Sequence, residues 1–121
     1  MKYMVMMFGS AAAMSEERSP EWITEMMGFM QGLGQELTDS GELVFAEGLQ
    51  DGSAAKIVRL TDGVPVTTDG PYAEAKEHMG GYLIVDCESL DRATEIALRW
   101  PNSRFAAMEV RPIMDVSGTE M

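Results

Sequence analysis

Between Thr67 and Gly81 the chain reads TTDGPYAEAKEHMGG, and many of the side chains able to do chemistry in this protein are gathered there. Asp69 stands immediately before a Gly70-Pro71 turn, and Tyr72, Glu74, Lys76, Glu77 and the single histidine, His78, lie between that turn and a Gly80-Gly81 pair. Glycine frees the backbone and proline fixes it, and a polar connection bracketed in this way between apolar segments is where function tends to sit. The chemistry such a set suits best is general acid/base work. Asp69 and His78 flank the connection and can converge across it, a carboxylate orienting an imidazole, so that one of the two acts as base. Lys76, together with Arg111 near the other end of the chain, can hold a carboxylate or an enolate-like intermediate. Tyr72, Lys76, Glu77 and Arg111 form the expected substrate-binding set. Each residue also has a plainer reading. Asp69 before Gly-Pro is a frequent turn former. Lys76 and Glu77 make an exposed pair, and His78 touches only solvent. Glu109 and Arg111, two apart on one strand face, pair across a dimer seam and fix its register.

Other chemistries find less support. One histidine and one cysteine do not make an ordinary zinc site, and Glu74, Glu77 and His78 lack a paired-histidine spacing. No Gly-x-Ser-x-Gly elbow is present and Cys87 has no evident activating base, which argues against nucleophilic catalysis. Neither Gly-x-Gly-x-x-Gly nor a P-loop occurs. A cofactor-independent protein without a metal is therefore expected. The net charge, 9 − 20 = −11, argues against a nucleic-acid surface, which needs a basic stripe, and against an anionic membrane. No apolar run approaches the ~20 residues of a membrane span, and Met1 to Phe8 is too short for a signal-peptide core. These points predict a soluble cytoplasmic protein. A lone Cys87 excludes an intrachain disulfide and reads as a small buried hydrophobe.

The elements that must position these groups follow from periodicity. With 121 residues, 45% of them apolar, one domain is expected, spanning residues 1–115 with a frayed tail over 116–121. Tyr3 to Phe8 is unbroken apolar sequence, which predicts a central strand covered on both faces. Ser19-Pro20-Glu21 is a helix start, followed by one apolar face at Trp22, Met26, Phe29, Leu33 and Leu37 and a stop at Ser40-Gly41. Met26, Met27 and Met30 read as flexible core filling. A strand over Leu43–Ala46 comes next, then a hairpin, Lys56–Thr61 and Val64–Thr68, around the two-residue turn Asp62-Gly63. Pro65 marks its second strand as an edge or a strand start. The 67–81 connection is read as a loop with one helical turn through Ala73 to Glu77. A strand Gly81–Cys87, a helix Leu90–Trp100 capped by Ser89, and a strand Phe105–Ile113 complete the order β-α-β-β-β-β-α-β. This is an α+β, ferredoxin-like sandwich with an added β-hairpin. Two helices cover only one sheet face, so a second copy of the chain is the simplest cover for the other, which predicts a homodimer.

The motifs carry a resemblance as well. Thr68-Asp69-Gly70-Pro71-Tyr72-Ala73-Glu74-Ala75-Lys76-Glu77, followed by Gly80-Gly81-Tyr82, resembles the signature of the YCII-related proteins of the DGPF type. That signature is Asp-Gly-Pro-Phe, then Glu-x-Lys-Glu and Gly-Gly-aromatic. The N-terminal Met-Lys-Tyr, the Gly48-Leu49 turn and Glu109-Val110-Arg111-Pro112 resemble the same family, so that the likeness runs from residue 1 to about 115. Tyr72 departs from it, standing where the family usually has phenylalanine, and adds a hydroxyl that can reach a site or a hydrogen-bond partner. The resemblance implies a ferredoxin-like fold that dimerises sheet against sheet into a dimeric α+β barrel. Relatives in that wider group include small isomerases and cofactor-free monooxygenases. The implied function is general acid/base chemistry on a small anionic or carbonyl compound. The alternative it implies is a non-catalytic ligand-binding or regulatory protein linked to extracytoplasmic-function sigma factors.

Overall fold

A computed structural model describes residues 1–9, 18–50, 52–70 and 78–115. Within them the chain forms β1 (Lys2–Gly9), α1 (Pro20–Asp39), β2 (Leu43–Gly48), β3 (Lys56–Thr61), β4 (Val64–Asp69), β5 (His78–Asp86), α2 (Leu90–Arg99) and β6 (Ala107–Pro112). Four strands pair antiparallel in the order β2-β5-β1-β6, and β3 and β4 form a separate two-stranded sheet. Apart from that hairpin, this is the split βαβ arrangement of a ferredoxin-like α+β fold. As expected from its unbroken apolar run, β1 is central.

Both helices begin where the sequence places their caps. The Ser19 hydroxyl accepts from the Trp22 N–H at 3.1 Å with Pro20 in the first turn, and the Ser89 hydroxyl accepts from the Arg92 N–H at 3.0 Å. Each satisfies an N–H that the first helical turn would otherwise leave unpaired. The helices cover one sheet face. Tyr3, Val5, Met7, Leu83 and Val85 meet Leu33 and Leu37 of α1 and Ala93 and Ile96 of α2 there, with Trp100 and Cys87 closing the core. Burial pushes the Cys87 thiol above its ordinary pKa, which suits a packing role. Gly81 is required where β5 passes β2: a Cβ there would lie 2.9 Å from the Glu47 carbonyl oxygen. The hairpin turn needs left-handed backbone at both positions and has it, with φ of 51° at Asp62 and 79° at Gly63.

Several expectations need correction. Phe29 and Met27 are exposed rather than core residues. The buried stripe of α1 is Met26, Leu33 and Leu37, with Met30 packed against the core; Phe29 instead carries the Arg104 guanidinium 4.7 Å above its ring. Residues 101–104 form a short 3-10 turn started by Pro101, so the last strand begins at Ala107, not at Phe105. β5 begins three residues earlier than expected and takes His78 out of the preceding connection. The helical turn expected through Ala73 to Glu77 and the frayed tail over 116–121 lie outside the described residues.

Candidate functional site

The face of the four-stranded sheet away from the helices carries two rows of side chains, fixed by the strand registers. One row runs Glu47, Tyr82, Met6, Glu109 across β2, β5, β1 and β6; the next runs Phe45, Ile84, Met4, Arg111. Directly opposed residues in antiparallel strands share a face, so the centre of this surface is apolar and its two edges carry the charges. The Phe45 and Tyr82 rings are tilted against each other with centroids 6.2 Å apart. Met6 is buried although it stands outside the helix-side core. At the β6 edge, Arg111 donates from Nη2 to Glu109 Oε2 at 2.5 Å. The Arg111 side chain is 70% exposed. A charge-assisted pair so open to water holds the guanidinium in place at little energetic gain and leaves its other N–H groups available to an anion.

The other sequence-selected residues stand elsewhere. Asp69 is the last residue of β4, directly opposite Lys56 on β3, and Lys56 Nζ donates to its Oδ1 at 3.1 Å. Its side chain is 89% exposed. Beside it the Gly70 N–H donates to the Ala55 carbonyl at 2.7 Å, closing the base of the hairpin. His78 opens β5 opposite Gly9 and is partly buried. Asp69 therefore pairs with Lys56 rather than with His78. Tyr72, Lys76 and Glu77 lie outside the described residues.

Arg111 and His78 are not brought together within one protomer. On β1, Arg111 pairs with Met4 and His78 with Gly9, five residues further on, which is roughly 16 Å at the usual rise of a strand. The face differs too. Between Met7 and Phe8 the register slips, so that Met7 pairs with Gly81 and Phe8 with Met79, leaving Gly80 as the extra residue of a bulge. The Gly80 carbonyl accepts from the Leu49 N–H at 2.8 Å instead. Beyond the bulge the register assigns Met79 to the open face and His78 to the helix side. The residues that sequence reasoning missed are Tyr82 and Glu47. The aromatic after Gly80-Gly81 was a signal for the first; only the register of β2 reveals the second.

On the helix side, a shallow groove of about 290 Å3 is lined by Gly28, Phe29, Gly32, Glu36, Arg99 and Arg104 among others. None of the sequence-selected residues borders it. Its polar groups already serve one another: Arg99 donates to both Glu36 oxygens, at 2.6 and 2.8 Å, and holds that carboxyl below its ordinary pKa. Among the described residues no cluster of three histidine, cysteine, aspartate or glutamate side chains is set to hold a metal ion. Among them, too, no helix is long and apolar enough to cross a membrane.

Comparison with known proteins adds two findings. The profile of the YCII-related domain matches residues 1–117. An uncharacterized protein of Rhizobium meliloti is 32% identical over 97 residues, which cover 78% of this chain and 78% of that protein.

Proposed function

The chain belongs to the YCII-related domain family, and on that premise we propose that it is a homodimeric, cofactor-independent protein that binds a small anionic or carbonyl compound between two stacked sheets. The single observation carrying this reading is the open face, with Met4, Met6, Ile84, Phe45 and Tyr82 across the middle and Glu109 and Arg111 at one edge. An apolar surface with a few polar groups converging at its rim is what a small-molecule site needs once a second surface closes it. In the stacked dimer the Arg111 guanidinium holds the anionic end of the ligand, and the Tyr82 and Phe45 rings lie along its body. The chamber needs neither nucleic acid nor membrane.

A second reading, catalysis, is favoured by the clustering of ionisable groups. Asp69 and His78 bracket residues 70–77, so one connection carries Asp69, Tyr72, Lys76, Glu77 and His78. In this reading Asp69 or His78 moves the proton, and Tyr72, Lys76 and Glu77, which lie outside the described residues, are the side chains expected to bind the substrate. Arg111, roughly 16 Å away along β1, takes no part in that step within the same protomer.

One thermal-shift series separates the two. A ligand that binds only the folded dimer raises the melting temperature by mass action. Across a panel of small carboxylates and carbonyl compounds, at least one should raise it for the unmodified protein and lose that effect in Arg111→Ala. A hit that survives Arg111→Ala but is lost in Lys76→Ala moves the site to the 69–78 connection. A flat response over the whole panel overturns both readings.

A further inference from the structure

We propose that the β3–β4 hairpin is an arm that docks on a second copy of the chain, laying the outer edge of β3 along the outer edge of that copy's β2. The inference rests on the dimer proposed above and names the segment that clasps it. It begins with the turn. A two-residue loop at Asp62-Gly63 makes Thr61 and Val64 the hydrogen-bonded closing pair, so the next pair, Leu60 and Pro65, is a non-hydrogen-bonded one whose N–H positions point outward. Pro65 has no N–H to offer there, and the outer edge of β4 is blunted. β3 contains no proline. Among the described residues no strand pairs with the backbone groups of Leu60, Val58 and Lys56 that point away from β4.

The second edge belongs to β2, the end strand of the four-stranded sheet. Its sequence, LVFAEG, has neither the proline nor the lysine that natural edge strands use to discourage pairing. Among the described residues two strand edges thus stay unpaired, and they belong to separate sheets within the protomer; the β2 edge is irregular only between Leu43 and Phe45, and β3 carries Lys56 and Arg59 but no proline. Between two copies they are complementary and reciprocal: β2 of one receives β3 of the other, and the exchange closes under a two-fold axis.

The side chains agree with the edges. Val44, Phe45 and Leu49 at the end of the large sheet, and Val58, Leu60, Val64 and Val66 on the hairpin, are all exposed, Leu60 by 73%. Val58 and Leu60 lie on one face of the hairpin and Val64 and Val66 on the other; over both faces and the β2 edge the seven leave roughly 600–700 Å2 of residue surface open, against about 800 Å2 per partner in a typical stable interface. A lone two-stranded hairpin is at best marginally stable in water, which is a reason for this one to be covered. Phe45 ties the two surfaces together, since it belongs both to the open face and to the β2 edge, so the arm extends the sheet-stacked interface without a break.

The test compares two variants by sedimentation and circular dichroism at micromolar concentration. In Val58→Lys/Leu60→Lys both changed side chains are exposed in the protomer, so the fold should be kept while dimer affinity falls by roughly 100-fold or more. Ile84→Glu, in the middle of the open face, should also dissociate the dimer. If the hairpin variant dimerises undiminished while Ile84→Glu does not, the arm is overturned and the stacked dimer stands. A wild-type protein that sediments as a monomer overturns both. Amide exchange on the unmodified protein gives an answer that no folding defect can confuse. The Val58 and Leu60 amides should be protected at high concentration and released on dilution to monomer; equal exchange in both overturns the arm.

Discussion

Replacing Glu42 by glutamine should destabilise the fold by about 2 kcal/mol at neutral pH and by only a fraction of that at pH 2.5. Glu42 follows the end of α1, where its N–H donates to the Leu37 carbonyl at 2.9 Å. Arg92, in the first turn of α2, donates from Nε and Nη2 to its two oxygens at 2.8 and 2.9 Å, and the Ser40 hydroxyl adds a bond at 2.9 Å. One ion pair thus ties the C-terminal end of one helix to the N-terminal end of the other, over the same sheet face. The Glu42 and Arg92 side chains are only 17% and 22% exposed. The Arg92 hydrogen bonds are the main reason the Glu42 carboxyl is lowered from 4.5 to about 2, against the opposing effect of burial. The drop from 4.5 to about 2, at ~1.4 kcal/mol per tenfold change in acidity, sets a ceiling of about 3.5 kcal/mol. The remaining exposure, and the ordering of two long side chains, bring the expected value to about 2. Because the folded-state pKa is the lower one, the stabilisation is complete above about pH 5 and shrinks as pH falls. About a quarter remains at pH 2.5. Urea unfolding at fixed protein concentration measures the difference between wild type and variant at each pH. Arg92→Met and the double variant complete the cycle, with a coupling of about 2 kcal/mol expected. A gap between wild type and Glu42→Gln that is the same at pH 7 and pH 2.5 would refute the assignment, since only a titrating partner makes it pH-dependent.

Gly81→Ala should cost about 2 kcal/mol in urea unfolding, because its Cβ would sit 2.9 Å from the Glu47 carbonyl oxygen and 3.4 Å from Gly48 Cα, both backbone atoms that cannot swing aside; a neutral result would mean that β2 and β5 can separate freely. Asp69→Asn should change stability by less than about 0.5 kcal/mol, since its pair with Lys56 is open to water. Any loss of ligand binding or turnover in that variant therefore reports on function, and a loss of more than about 1 kcal/mol would show instead that Asp69 is a structural closure of the hairpin.

The fold was largely legible because its signals are local. Ser19-Pro20 and Ser89 announce helix starts through orphan N–H groups, and Asp62-Gly63 announces a hairpin through its left-handed backbone. Glu109 and Arg111 share one face of β6 as their spacing places them, and Met108 and Val110 on the other face pack on the core. What failed is what depends on neighbours. Phe29 fits the helical apolar stripe as well as Met30 does, yet the turn of α1 brings Met30 to the sheet and leaves Phe29 beside Arg104. Spacing alone cannot separate two residues on the margin of an apolar face, because the boundary is drawn by what the helix packs against.

The placement of the candidate site residues was less legible for a related reason. His78, Gly80, Tyr82 and Ile84 alternate in sequence, so period-two reasoning assigns all four to one face. The bulge at Gly80 breaks that parity, and it exists because β5 must match β1 on one side while giving the Gly80 carbonyl to Leu49 on the other. Nothing in HMGGYLIV alone fixes it beyond the glycine that tolerates it. The separation of His78 from Arg111 is equally non-local: each is placed by its partner on β1, at opposite ends of one strand. Charges that read as one constellation in the sequence thus fall into two groups. One is Arg111 with Glu109 on the edge of an apolar face; the other is Asp69 and His78 at the ends of the 70–77 connection. A single small ligand touching both groups of one protomer would have to be about as long as the sheet, so binding between the sheets and chemistry at the connection are separable by mutation, and Arg111→Ala and His78→Gln should never fail in the same assay for the same reason.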